Sequence, residues 1–168
     1  TIYFASGGFG ALAGLDGAET TPGPSNMAVV PIEVWETLTS TTVERKYLLP
    51  DTGGAGASRG GLGQEVVIRN DSGHVMTVFC MANRTDFPPL GLMGGGNGKP
   101  REHRINDVTV DPKGHYELEP GDRITMIEAG GAGYGDPALR PREAIELDLA
   151  EGFVTPEGAA RDYGFNGE

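Results

Sequence analysis

Between Asp51 and Gly63, six of thirteen residues are glycine, and no other stretch limits the possible folds so strongly. Glycine at that density removes the side chains that a helix or sheet face needs for burial. It also loses the most backbone entropy on ordering. Such a segment orders only where its backbone takes positive φ or comes very close to another backbone or a ligand. It is not a phosphate loop of the usual kind: no Gly-Lys-Ser/Thr follows, and no G-x-G-x-x-G fits over it. Gly130–Gly135 has a similar composition, and Phe87–Arg101 is a further loop rich in glycine and proline.

Glycine makes up 28 of the 168 residues, against roughly 7% in ordinary proteins. Apolar residues still account for 38% of the chain, enough for a core. Together these numbers predict a turn-dense β structure rather than a disordered tail. The length is that of one domain, 1–168. A net charge of −11 and a pI near 4.6 lack the basic footprint of a nucleic-acid binder. No apolar run approaches a membrane span. The lone Cys80 has no internal disulfide partner, which favours a reducing compartment, so a cytoplasmic protein is expected. The chain opens on Thr1 in a sequence that looks like the inside of a strand. A piece of a longer polypeptide is therefore expected.

Along the chain, Thr1–Ala5 is predicted as a short strand entering a loop over Ser6–Ser25. Val29–Trp35 is apolar and β-branched, with Pro31 limiting it to a sheet edge or a strand start. Thr39–Leu48 alternates in part and reads as a strand. Gln64–Arg69 and His74–Met81 read as two strands joined in a hairpin by Asn70–Gly73. Arg104–Val110 and His115–Glu117 read as a second pair around the turn Asp111–Gly114. Glu119–Asp122 is a turn into a strand, Arg123–Glu128. The period then changes. Pro141–Ala150 carries Pro and Glu in its first turn and reads as a helix stopped by Gly152. Thr155-Pro-Glu157 starts a second helix, with Thr as N-cap and Gly164 as its end. The expected fold is α+β: a mainly antiparallel β region (1–140) with long Gly/Pro-rich loops, closed by a helical hairpin (141–164).

Few residues suggest chemistry directly. His74, His103 and His115 have no second His or Cys at local ligand spacing, so they read as exposed or turn histidines. The carboxylates show no readable pairing. Ser6, Ser25 and Ser58 lack the G-x-S-x-G context of a nucleophile elbow. Cys80, within Val78-Phe79-Cys80-Met81, reads as a buried small hydrophobe. Thr1 has the position of an N-terminal nucleophile, although a cut at that point explains it more simply. The glycine loops weigh more. Asp51–Gly63 and Gly130–Gly135 can offer backbone N–H groups to an anion, with Arg59 as a guanidinium donor inside the first loop. The alternative, favoured here, is backbone packed on backbone at a domain or subunit junction. Arg84, beside Asp86–Pro89, reads as either a loop-ordering ion pair or an interface contact.

Taken in order, a set of segments resembles the C-terminal part of the hydantoinase B/oxoprolinase family. The set is Gly7-Gly8-x-Gly10, Pro24-Ser25-Asn26, Pro31–Val34, the loop 51–63, Arg84 with Phe87-Pro-Pro-x-Gly91, Glu119–Asp122, Gly133–Pro137, Glu151–Glu157 and Asp162–Gly164. Each alone is a weak signal; the ordered set is specific. Two departures stand out: Val29-Val30 replaces a common Asn-Thr, and Ala132 interrupts the usual glycine run. The resemblance implies a section of a subunit that works with a hydantoinase A-type partner and with the N-terminal part of its own subunit. It further implies ATP and a divalent metal, neither bound by a local motif here, in opening a small cyclic amide such as a hydantoin or 5-oxoproline. Related complexes carboxylate ketones, and a non-catalytic assembly module is the competing expectation. The residues singled out as a substrate or subunit interface are Asp51, Gly53, Gly54, Gly56, Arg59, Gly60, Gly61, Arg84, Gly131, Gly133, Gly135 and Asp136. The catalytic residues are expected outside this chain.

Overall fold

The computed structural model describes residues 2–21 and 30–166. Thr1, Ser25, Val29 and the Pro24–Asn26 motif lie outside them. The described residues form an α+β fold with three α-helices and two antiparallel sheets. Five strands form the larger sheet in the order β1 (Thr41–Leu48), β2 (Gln64–Asn70), β7 (Arg123–Ile127), β4 (Glu102–Ile105), β5 (Val108–Val110). A separate pair, β3 (Met76–Phe79) and β6 (His115–Leu118), makes the second. The main core lies between the two. Val66, Ile68 and Ile124 from one side meet Cys80 and Leu118 from the other, with Trp35 and Tyr3 packed at the margin. No helix of the described residues is long and apolar enough to cross a membrane.

Four expectations fail. Residues 32–39 are a helix, α1 (Ile32–Thr39), not a strand. Val34, Trp35 and Leu38 share a helical stripe, and Trp35 stacks edge-on against Tyr3 at 4.8 Å while its Nε1 donates to Thr41 Oγ1. Glu36 then accepts from the Val43 N–H, so the helix caps the start of β1. That tertiary anchoring outweighs the β propensity of the sequence. Second, β2 and β3 do not form a hairpin. The buried Asn70 side chain donates to the carbonyls of His74 and Leu118 and accepts from Ser72, which is an Asx-type turn. It swings the chain off the large sheet, where β1 and β7 already occupy both edges of β2. Third, the real hairpin is β4–β5. Asn106 (φ 47°) and Asp107 (φ 65°) are both left-handed, the requirement of a type I′ turn. β6 pairs with β3 instead. Fourth, residues 2–5 join no strand.

The C-terminal hairpin follows its sequence signals. α2 is Arg142–Ala150, preceded by Pro141. α3 is Pro156–Tyr163, where Thr155 Oγ1 accepts from the Gly158 N–H and Gly164 takes φ 65° at the end. Ile145, Val154 and Ala159 make a small core of their own.

The glycine segments build a third kind of interior. Segments 7–11, 52–61 and 91–99 surround 129–135 without forming a ladder, and each is bonded to that central segment. Gly8 N–H donates to Ala129 O and Ala11 N–H to Ala132 O; Gly54 N–H donates to Gly131 O, and Gly131 N–H to Gly61 O. On the remaining side Gly133 N–H donates to Gly96 O and Gly130 N–H to Lys99 O. A methyl group on Gly131 would land on the Phe9 carbonyl, one on Gly60 on the Gly131 carbonyl, and one on Gly133 on the Ala55 carbonyl. This is the packing logic of the collagen axis, where only glycine fits. Ala132 sits at a half-buried step between the buried Gly131 and Gly133, which explains how an alanine enters the run.

Gly131→Ala is expected to lower stability by about 2–4 kcal/mol through overpacking against main chain. Gly10→Ala, whose nearest foreign atom would lie 3.8 Å away, is expected to be almost neutral. Urea unfolding followed by the fluorescence of Trp35, the only tryptophan, distinguishes them. Equal midpoints for the two variants would contradict backbone-on-backbone packing.

Candidate functional site

The predicted site residues collect around the glycine bundle, but most of them are consumed by the fold. Gly53, Gly54, Gly56, Gly60, Gly61, Gly131 and Gly133 have main-chain atoms where a Cβ would stand, so no phosphate can enter between them. Gly135 (φ 76°) is a turn residue, and its N–H donates to Leu92 O. Asp51, itself left-handed at φ 58°, accepts from Thr155 N–H (2.9 Å) and Thr155 Oγ1 (2.6 Å). It therefore pins the glycine loop to the N-terminus of α3, where a carboxylate is electrostatically favoured. Asp136 accepts from Ala138 N–H and starts the short 3₁₀ turn Pro137–Leu139.

Arg59 is the centre of a buried charge network. Its side chain is 4% exposed and sits over the Phe153 ring at 5.0 Å. Nε donates to Asp148 (3.2 Å), one terminal nitrogen to Glu19 (3.0 Å) and the other to Gly60 O (2.7 Å). Asp148 also takes a bond from Arg140 (2.6 Å), whose two terminal nitrogens grip both oxygens of Asp16. Asp16 in turn accepts from the Arg59 N–H, and Glu19 from the Leu62 N–H. Two guanidiniums and three carboxylates thus join the N-terminal loop, the glycine loop and α2. Burial pushes the Asp16 carboxyl up, but the bonds and charges of Arg140 and Arg59 outweigh it and hold it below the usual range. Burial also opposes the Arg140 charge, and Asp16 and Asp148 overcome that, so its pKa rises. Tyr163, against Arg140, is pushed up to about 12, chiefly by burial. Asp16, Glu19, Arg140 and Asp148 carry no local motif, and their partners lie up to 124 positions away; only the fold assembles them.

A second polar cluster was also out of reach of the sequence. At one end of the core face, His103 and Glu128 are buried and Arg101 pairs with Glu128. Arg101 also reaches the Ala5 carbonyl at 3.4 Å, and Gln64 Nε2 donates to Ser6 O. Among the described residues neither ring nitrogen of His103 has a hydrogen-bond partner. Burial, with a smaller push from Arg101, lowers its pKa to about 4. His103 was expected to be exposed or in a turn; it is on β4 and enclosed. Burial likewise raises the Cys80 thiol, which makes it an unreactive core side chain.

Other features add no chemistry. Arg84 has φ 66°, is exposed, and forms no ion pair with Asp86 or another described residue. The groove beside α3, about 520 Å³, is lined by Leu149, Pro156, Ala159, Ala160, Phe165 and Asn166, without a titratable group. Among the described residues no group of three or more His, Cys, Asp or Glu is placed to hold a metal ion. What the arrangement does is hold four chain segments rigidly together and present their turns outward.

Comparison with known proteins gives a consistent answer. The family model described as hydantoinase B/oxoprolinase matches residues 1–137. The caprolactamase subunit beta of Pseudomonas jessenii is 33% identical over 142 residues, 79% of this chain and 24% of that protein. The crystal structure of ATP-dependent caprolactamase from Pseudomonas jessenii superposes with a TM-score of 0.79 at 26% identity, covering 97% of this chain and 31% of that one. Nucleotide-free acetone carboxylase shares the fold, with a TM-score of 0.77 at 22% identity over 95% of this chain and 26% of its own. The chain spans about a quarter of the length of the curated relatives it matches.

Two outcomes are expected from the buried charges. Arg59→Ala leaves Glu19 without its cation and Asp148 with Arg140 alone, and should cost about 3–5 kcal/mol in chemical denaturation. His103 has a folded pKa below its ordinary 6.5, so the unfolded chain binds the extra proton between about pH 6.5 and 4. Its contribution is complete above pH 6.5 and is lost as pH falls through that window. Going from pH 7 to pH 5 should remove about 2 kcal/mol from the unaltered chain and clearly less from His103→Leu. Parallel pH profiles for the two would refute the assignment.

Proposed function

The chain belongs to the hydantoinase B/oxoprolinase family, and on that premise we propose that it is one section of a longer subunit in an ATP-dependent enzyme opening cyclic amides. The substrate class is a hydantoin, 5-oxoproline or a related lactam. The observation that carries this reading is the joint likeness to a caprolactamase, in sequence along one chain and in fold along nearly all of it. Phosphoryl transfer from ATP to the amide oxygen releases ADP and makes the attached carbon electrophilic. Water adds there, the ring C–N bond breaks with the nitrogen taking up a proton, and a second water releases inorganic phosphate and leaves the carboxylate. A hydantoinase A-type partner and the rest of the subunit supply the nucleotide, the divalent metal and the reacting groups. A cytoplasmic location accords with the single, buried Cys80.

Within that enzyme the chain's own part is architectural. The glycine loops, Asp51 and Arg59 keep the bundle rigid. Arg84, exposed and unpaired among the described residues, together with the turns at Gly135 and Asp136, belongs to the surface that meets other parts of the enzyme. Reconstitution of the complete complex tests both statements. ATP hydrolysis should be stoichiometric with ring opening of hydantoin, 5-oxoproline or ε-caprolactam, and bicarbonate-dependent consumption of acetone should be absent. The reverse pattern would make the parent a ketone carboxylase. Loss of turnover in an Arg59→Ala complex that stays intact and equally stable would overturn the architectural role.

A further inference from the structure

We infer that the apolar turns at one end of the glycine bundle are the docking surface for the remaining part of the family subunit. This rests on the reading of the chain as one section of a longer subunit. Among the described residues, nineteen large apolar side chains are exposed and only eight are buried, an imbalance that an isolated domain does not normally carry. Twelve of the nineteen are more than 60% exposed, and six of those twelve, Leu12, Leu15, Leu90, Leu92, Met93 and Leu139, stand on turns of the glycine bundle. Their loops hang from a single backbone segment, 132–136. Ala11 N–H donates to Ala132 O, Leu92 N–H to Gly133 O and Leu139 N–H to Asp136 O.

These turns are built, not loose. Leu12 and Leu15 exchange both main-chain bonds across Gly14, which has φ 73°. The loop carrying Leu90, Leu92 and Met93 is closed by Gly95 N–H to Leu92 O, Gly98 N–H to Pro89 O and Gly91 N–H to Asn97 Oδ1. Met93 decides the matter. It sits at φ 53° and is 76% exposed. A left-handed position favours Gly, Asn or Asp, and an exposed position favours a polar residue. Methionine there weakens the isolated chain twice over, and an adaptable apolar side chain is what an apolar partner surface recruits. The occupant follows from length: the caprolactamase relative matches this chain over only 24% of its own sequence, and its crystal structure over 31%. Three quarters of the subunit remain to cover the surface. Rigid, pre-formed apolar turns lower the ordering entropy of that contact.

The test is to produce the chain together with the sequence from its source that matches the rest of the caprolactamase beta subunit, in one polypeptide or two. Peptide oxidation by hydrogen peroxide is read by mass spectrometry, with N-acetylmethionine as internal standard. Met93 should oxidise at least tenfold more slowly in the assembly than in the chain alone. In parallel, Leu92→Asp/Met93→Asn should keep or raise the melting temperature of the isolated chain, because Asn relieves the left-handed position. It should also weaken assembly at least tenfold. Equal Met93 oxidation in both states, or full-strength assembly of the variant, overturns the docking surface. So does Met93 protection in the chain alone with concentration-dependent self-association, which makes the occupant a second copy. Failure of the unaltered parts to assemble overturns both the docking surface and the functional reading. An assembly that protects Met93 yet opens no cyclic amide supports the docking surface and sinks only the activity.

Discussion

Everything else in this molecule depends on main chain packed directly against main chain in the glycine bundle. The segment 129–135 lies among three others at distances that leave no room for a Cβ at Gly130, Gly131 or Gly133, and the interior there is made largely of amide hydrogen bonds. Each such bond is worth only about 1 kcal/mol net, and each ordered glycine surrenders more backbone entropy than any other residue. The bundle therefore needs outside reinforcement. It comes from both ends: β2 and β7 lead directly into Gly63 and Glu128, and the helical hairpin closes the opposite side.

The reinforcement is electrostatic where the hydrophobic kind is missing. Arg59, Arg140, Asp148, Asp16 and Glu19 tie loops with few apolar side chains to α2. Desolvating these charges opposes folding, so the network is weak support for stability in itself. It is, however, geometrically demanding, and its fixed forks set how the loops stand relative to the helices. Phe153 and Tyr163 stack on the two guanidiniums and exclude water. A scaffold held this way has rigid turns, and its outward surface is correspondingly well defined.

Legibility from sequence followed the range of the interaction concerned. The helices at 142–150 and 156–163 were readable because Pro, Thr155 and Gly164 act within one turn of where they stand. The strands at 41–48, 64–70 and 123–127 were readable from β-branched alternation. Their pairing was not. Asn70 looked like a hairpin turn, and only its buried bonds to His74 and Leu118 show that it diverts the chain to another sheet. Asn106-Asp107 is a local hairpin signal, since both residue types tolerate the left-handed backbone that the two-residue turn requires. α1 had a readable stripe in Val34, Trp35 and Leu38, hidden by the β propensity around it. Arg59 attracted notice as a free donor, whereas its three partners leave it none to spare.

By itself the sequence determined that glycine-rich backbone had to pack closely, that the chain was α+β with a C-terminal helical hairpin, and which family it resembled. Those conclusions rest on local conformational limits and on ordered motifs, which need no coordinates. Only the tertiary structure decided which backbones meet in the bundle, which charges pair, that His103 is enclosed, and that Met93 stands outward in a left-handed turn. The physical reason is distance along the chain. Hydrogen bonds and ion pairs that join Asp16 to Arg140 or Asp51 to Thr155 span more than a hundred residues, and residue type does not encode a partner so far away.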